Sequence, residues 1–270
     1  MSAAEACRWA TAVVPYAPYV TSLAWMSHYG CQYCVHGDDI TSDSNGEDCY
    51  RYVKEAGRFK VVKRTPGIST TDLVGRMLLC TKSHFIKSLK NMLDGMEGPE
   101  SDEDRAELGK KMAKRIRDYA SDETGLAPGV DVYTFLAEPT DDGQSSKFHA
   151  DPGFELFVKG KGPKESQRVV YVDGGFDLFS SGHIEFLRSV VKIEEQQAHV
   201  RGWYADHARK QRETLNGEDY GPTFVVAGVH DDEVINKWKR LNYPIMNIFE
   251  RGLCVLQCKV YHPTILSVLT

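Results

Sequence analysis

Two loops carry residues whose types and spacing suit phosphate chemistry. The first is Arg64-Thr65-Pro66-Gly67-Ile68-Ser69-Thr70-Thr71-Asp72. Arg64 offers a forked guanidinium that can clamp two phosphate oxygens, and Ser69, Thr70 and Thr71 offer hydroxyls beside the amides of a helix start. Ser69 and Asp72 have capping-box spacing, so a helix is expected from about Thr70, and anions favour helix N-termini. A plain cap needs only Ser69 and Asp72, whereas Gly67, three hydroxyl residues and an arginine exceed that need. The second loop is Asp173-Gly174-Gly175-Phe176-Asp177-Leu178-Phe179-Ser180-Ser181-Gly182-His183. Gly174 permits close backbone approach, Asp177 suits orientation of donors or a turn, and His183 stands at an expected helix start.

Other candidates are weaker. His36 and Asp39 lie in a polar loop after an expected strand, where isolated residues of these types are ordinarily surface groups. Cys31-Gln32-Tyr33-Cys34 has the spacing of a zinc or redox pair, but no second ligand pair follows closely and Tyr33-Cys34-Val35 reads as strand. The expectation is ordinary buried thiols. Seven cysteines, odd in number and scattered, are expected to be reduced. No Gly-x-Gly-x-x-Gly turn follows a strand, and no P-loop Gly-Lys-Ser/Thr occurs, so dinucleotide dehydrogenases and P-loop kinases are disfavoured.

These loops need elements to hold them. Phe59 to Val62 is an expected strand leading to Arg64, and Cys49, Tyr52, Val53 and Ala56 fall at helical spacing, with Gly57 as the stop. Val169-Val170-Tyr171-Val172 is the kind of apolar run expected of a strand covered on both faces, and Phe224 to Val229 is a second. Ile184, Leu187 and Val191 begin a helix, and Asn247 and Glu250 repeat the capping geometry before Leu253, Leu256 and Val260. Strand, loop, helix places a ligand beyond the carboxyl ends of parallel strands. The division expected is 1–93, a linker with a charged helix over 94–167, and 168–270 with a polar insertion. Asp94 to Glu107 is expected to break the packing pattern, with a helix from Leu108 to Tyr119 after it.

With 270 residues, 41% of them hydrophobic, the chain can bury one sizeable core or two modest ones. A net charge of -5 gives no broad positive field, so nucleic acid is a poor partner. No apolar run approaches the length of a membrane span, and the N-terminal residues lack an apolar signal core; the reading is cytoplasmic and non-integral.

The segment Arg64 to Arg76 resembles the ethanolamine-phosphate cytidylyltransferase family of HIGH-type nucleotidyltransferases. So do Ala17-Pro18-Tyr19-Val20-Thr21, Cys34 to Ile40, Tyr52 to Arg58, Tyr171 to Phe179 and Asn242 to Arg251. The resemblance covers residues 6–93 and 168–262. It implies an α/β fold of two incomplete Rossmann-like domains with parallel sheets. It also implies transfer of CMP from CTP to phosphoethanolamine, with Mg2+ accompanying CTP and no protein-bound metal.

A family domain opens on His-x-Gly-His and closes on Arg-Thr-x-Gly-Ile-Ser-Thr-Thr. Here the first block carries the closing motif and the second the opening one, with Ser180 in place of the first histidine. The reading is therefore the middle of a two-domain protein, truncated at both ends, that forms a homo-oligomer or associates with a full-length copy. The resemblance assigns His183, Arg64 and Arg251 to catalysis. It assigns Ser69, Thr70, Thr71, Gly174, Phe176, Asp177, Ser180, His36 and Asp39 to nucleotide and phosphate binding, with Arg251 on a phosphate and His36 and Asp39 near the cytidine. A catalytically inactive fragment with partial nucleotide sites is the alternative.

Overall fold

A computed structural model describes residues 3–63, 69–122, 124–135, 154–259 and 265–269. The chain divides into two compact units, Ala12–Asp72 and a larger one formed by Met1–Thr11 with Leu73–Thr270.

The smaller unit holds α1 (Leu23–His28), β1 (Cys34–His36), α2 (Arg51–Glu55) and β2 (Phe59–Val61). Strands β1 and β2 pair in parallel, with Cys34 opposite Phe59 and His36 opposite Val61. The expected helix after Cys49 forms because Cys49 and Val53, one helical turn apart, are both fully buried. It stops where the sequence predicts: Gly57 takes φ +68°, a left-handed conformation that costs glycine little, and its N–H donates to the Lys54 carbonyl. Helix α3 (Thr70–Leu79) carries the chain out of this unit. It starts at the expected Thr70, and Ser69 Oγ accepts the Thr71 N–H at 3.2 Å.

The larger unit contains α4 (Leu89–Leu93), α5 (Asp102–Tyr119), β3 (Val132–Phe135), β4 (Phe154–Val158), β5 (Arg168–Gly174), α6 (Ser181–Val200), α7 (Asp206–Asn216), β6 (Thr223–Val229), α8 (Asp232–Lys239), α9 (Ile248–Leu256) and β7 (Ile265–Leu269). Its sheet runs β4-β3-β7-β6-β5, parallel except for β4 against β3. The architecture is thus α/β with Rossmann-like parallel pairing. The core joins Val225, Ala227 and Val229 of β6 to Ile184 and Leu187 of α6, Ile248, Leu253 and Val255 of α9, and Met112 and Ile116 of α5.

Three expectations change. The Val169–Val172 run is not covered on both faces: β5 is an edge strand, and Val169 and Tyr171 are more than half exposed. The acidic stretch does not stay outside the packing pattern. Asp102, Glu103 and Asp104 form the first turn of α5 behind an N-cap at Ser101, where negative charge is favoured. The 94–167 segment also supplies β3 and β4 to the sheet. Finally, Cys31 of the expected buried pair is exposed, as is Cys80, and all seven cysteines are free. Among the described residues, no helix is long and apolar enough to cross a membrane.

Candidate functional site

In the larger unit, the segment from the end of β5 to the start of α6 gathers five of the twelve expected residues, Gly174, Phe176, Asp177, Ser180 and His183, at the carboxyl end of a parallel strand, where α/β folds place ligands. Gly174 ends β5 and its carbonyl accepts the His230 N–H at 3.2 Å. A Cβ on Gly175 would sit 3.2 Å from Ile235 Cδ1, so glycine lets the loop lie directly on α8. Phe176 and Leu178 adopt left-handed backbone, φ +48° and +47°, which costs a non-glycine residue roughly 1–2 kcal/mol each. Two interactions offset that strain. Phe176 is buried, and the Asp177 carboxylate accepts the N–H groups of Ile245 (2.8 Å) and Met246 (2.9 Å). Asp177 therefore shapes the loop through backbone amides.

Ser180 is the N-cap of α6, and its N–H donates to His183 Nδ1 at 3.1 Å. With Nδ1 accepting, a neutral ring carries its proton on Nε2. Phe179 stacks on the imidazole at 5.4 Å and 13°, with Phe176 at 5.8 Å. Burial pushes the His183 pKa below the ordinary histidine value, and the positive charge of Lys239 adds to the shift while Asp177 opposes it. At neutral pH His183 is a neutral hydrogen-bond donor beside a cation.

Arg251, which the resemblance assigns to a phosphate, is buried and held by groups of the protein itself. Its side chain is 0% exposed and its guanidinium donates to Met246 O (2.9 Å), Gly175 O (2.6 Å), His230 O (2.7 Å) and Asp232 Oδ1 (2.7 Å). Asp232 is equally buried and also accepts the Ile86 N–H at 2.9 Å. Burial pushes the Asp232 carboxyl up and the Arg251 guanidinium down, and the contact between them opposes both shifts. Arg251 thus ties the glycine loop to α8 and α9 from beneath.

Helix α9 is fixed by the capping box the sequence predicts. Asn247 Oδ1 accepts the Glu250 N–H (3.0 Å) and Glu250 Oε2 accepts the Asn247 N–H (2.9 Å). Arg76 binds the same Glu250 carboxylate with both terminal nitrogens, at 2.7 and 3.0 Å, and donates to Ile245 O.

In the smaller unit, Gly37–Thr41, Asp48, Tyr50, Lys54, Gly57, Phe59 and Val61 line a cleft of about 530 Å³. The Tyr50 ring lies between His36 (4.6 Å) and Phe59 (5.1 Å), and burial raises its phenol pKa. Asp48 is held below the ordinary carboxylate value, chiefly by the Lys54 ammonium at 2.5 Å. Asp38, Asp39 and Asp48 outnumber Lys54, so the cleft carries net negative charge with aromatic walls, which suits a small cation better than a phosphate. Asp39 lines this cleft and His36 packs behind its tyrosine. Ser69, Thr70 and Thr71 are not among its lining residues, and Arg64 lies outside the described residues.

The sequence reading missed Lys239, Asp232, Tyr50 and Lys54. Lys239 ends a mixed-charge helix, and Asp232 follows the N-cap Asp231 as an apparent second capping acid, so neither position is marked by its neighbours. Tyr50 precedes α2 and Lys54 lies on it, both at positions that its apolar spacing does not mark.

Known proteins are similar to this chain over most of its length. A cytidylyltransferase-like family model matches residues 1–76. Ethanolamine-phosphate cytidylyltransferase of Mus musculus is 36% identical over 266 residues, 94% of this chain and 54% of that protein. The Dictyostelium discoideum protein of the same name is 35% identical, covering 95% of this chain and 55% of its own. That of Saccharomyces cerevisiae is 40% identical over 183 residues, 68% of this chain and 46% of its own. The chain spans about half the length of the curated relatives it matches, and over that span its sequence is similar to ethanolamine-phosphate cytidylyltransferases.

Proposed function

We propose that the protein transfers the cytidylyl group of CTP to phosphoethanolamine, giving CDP-ethanolamine and pyrophosphate for phosphatidylethanolamine synthesis, in the cytoplasm. The observation that carries this reading is His183: a neutral imidazole with Nδ1 occupied by the Ser180 amide and its proton on Nε2, at the carboxyl end of a parallel strand. A phosphate oxygen of phosphoethanolamine attacks the α-phosphorus and pyrophosphate leaves, so the chain needs no nucleophile of its own. It needs alignment and donors for charge on the phosphoryl oxygens. His183 supplies a hydrogen bond, Lys239 a positive charge, and the amide end of α6 a favourable dipole. Taken by itself, the acidic, aromatic cleft of the smaller unit suits a small cation, and the resemblance assigns Ser69, Thr70 and Thr71 to phosphate.

Magnesium is expected to arrive with CTP. Triphosphate oxygens and water are ordinary ligands of that ion.

One observation favours a second reading, a nucleotide-binding or regulatory partner without turnover. Ser180 stands where the family motif opens on histidine, and a hydroxyl cannot carry positive charge. Pyrophosphate release from CTP and phosphoethanolamine by the purified chain tests the choice. Turnover that falls at least tenfold in His183→Asn supports catalysis. CTP binding by calorimetry without turnover, or co-purification with a full-length copy, supports the second reading.

A further inference from the structure

We propose that Cys7 and Cys258 form an oxidative cross-link site that closes under peroxide. The two residues face each other in an isolated antiparallel bridge. Its two flanking hydrogen bonds, Arg8 N–H to Gln257 O (2.9 Å) and Lys259 N–H to Ala6 O (2.5 Å), lie on either side of the pair. Cys7 and Cys258 are therefore a non-hydrogen-bonded pair, the register position where Cα atoms approach to about 4.5 Å and side chains lie closest on one face. That separation falls within the roughly 4.4–6.8 Å span of a disulfide.

The backbone around the pair is already held. Ala6 is buried, and Arg8 donates to the carbonyls of Tyr119, Ser121 and Asp122 at the end of α5. On the other side, Cys258 follows directly from α9, whose Val255 and Leu256 sit in the core. Closing the bond asks for side-chain rotation and no unfolding.

The two thiols differ in the way the chemistry requires. Cys7 is half-buried, and peroxide reaches it first; Cys258 is buried and waits beside it. Peroxide adds one oxygen to the Cys7 sulfur, leaving a sulfenic acid and water. The Cys258 sulfur then attacks that sulfur, the S–S bond forms, the S–O bond breaks, and the departing hydroxide takes up the Cys258 proton as a second water. Burial holds the Cys258 thiol up at about 11, and the charge of Arg188 works against that shift. Arg188 Nε and Nη1 are buried with no hydrogen-bond partner among the described residues, leaving that guanidinium to stabilise the attacking thiolate. The product would pin residues 3–11 to the end of the helix that carries Glu250 and Arg251.

The inference is independent of the cytidylyltransferase reading. Full-length chain is treated with equimolar hydrogen peroxide, digested without reductant and mapped by mass spectrometry. The expected result is a peptide linking Cys7 to Cys258 in the native chain and in a Cys31→Ser/Cys34→Ser/Cys254→Ser variant, lost on reduction and absent from Cys7→Ser. Linkage of Cys7 to Cys254, or sulfinic acid at Cys7 with no link to Cys258 in either protein, would overturn the assignment.

Discussion

Replacing Arg251 with methionine tests whether the glycine loop is held from beneath. The substitution keeps an unbranched side chain of similar length but removes four hydrogen bonds, to Met246 O, Gly175 O, His230 O and Asp232 Oδ1. Among the described residues, it leaves the fully buried Asp232 carboxylate with the Ile86 amide as its hydrogen-bond donor. Breaking a buried pair by removing one member costs about 3–5 kcal/mol, which lowers the thermal midpoint of a unit this size by roughly 6–20 °C. The loss must also depend on pH in a set direction. Burial raises the folded-state pKa of Asp232, so the folded variant binds a proton that the unfolded chain does not as pH falls from neutrality. Stability of the variant therefore increases toward mildly acidic pH, because a protonated carboxyl needs no counter-charge. Adding Asp232→Leu should recover part of the loss, since an apolar pair can replace a buried ion pair at little cost, less about 1–3 kcal/mol for the stranded Ile86 amide. Differential scanning calorimetry from neutral to mildly acidic pH reads all three effects. A midpoint shift below about 2 °C in Arg251→Met, or a double variant less stable than the single, would refute the reasoning.

Lys239→Gln removes a positive charge that depresses His183, so the imidazole midpoint followed by NMR should rise toward the ordinary histidine value; a fall or no change counts against the pairing. Since His183 resists protonation when folded, its contribution to stability is complete above the unfolded-chain histidine pKa and is lost as pH falls through the lower folded value. Asp177→Asn leaves one of the Ile245 and Met246 amides without an acceptor, which should cost about 1–3 kcal/mol in urea unfolding and speed hydrogen exchange at that amide. Gly109→Ala should destabilise α5 although alanine is the better helix former by about 1 kcal/mol, because its Cβ would lie 2.6 Å from Leu93 O and 2.8 Å from Met92 O. Forcing α4 and α5 apart costs about 1–3 kcal/mol, and a thermal midpoint at or above that of the native chain would show that α4 yields freely.

Local signals in the sequence read well where one element decides its own ends. Gly57, Thr70 and the Asn247–Glu250 box mark helix boundaries because capping is settled within four residues. The burial of β5 was not legible. Its apolar run is the same whether a neighbour lies on both sides or one, and only the assembled order β4-β3-β7-β6-β5 reveals the edge. The burial of Arg251 was not legible for a related reason. An arginine after a capping glutamate is ordinarily solvated, and the three carbonyls and carboxylate that bury this one come from positions 175, 230, 232 and 246, separated in sequence and joined only by packing.

On the proposed reading, the same contrast bears on position 180, where the resemblance expects a histidine. A histidine that donates to phosphoryl oxygens must have its second nitrogen held, or the ring turns and the donor is lost. Here that task falls to the Ser180 backbone N–H, a group present whatever side chain position 180 carries. Phe179 and Phe176 pack the ring from the sides, and Asp177 and Arg251 fix the loop that presents them. Serine at position 180 supplies no charged donor, and its Oγ lies 3.3 Å from the same Nδ1, a second contact beside the backbone N–H. On the proposed reading, Ser180→His should raise any turnover: it gives up the Oγ contact but keeps the backbone N–H that holds Nδ1.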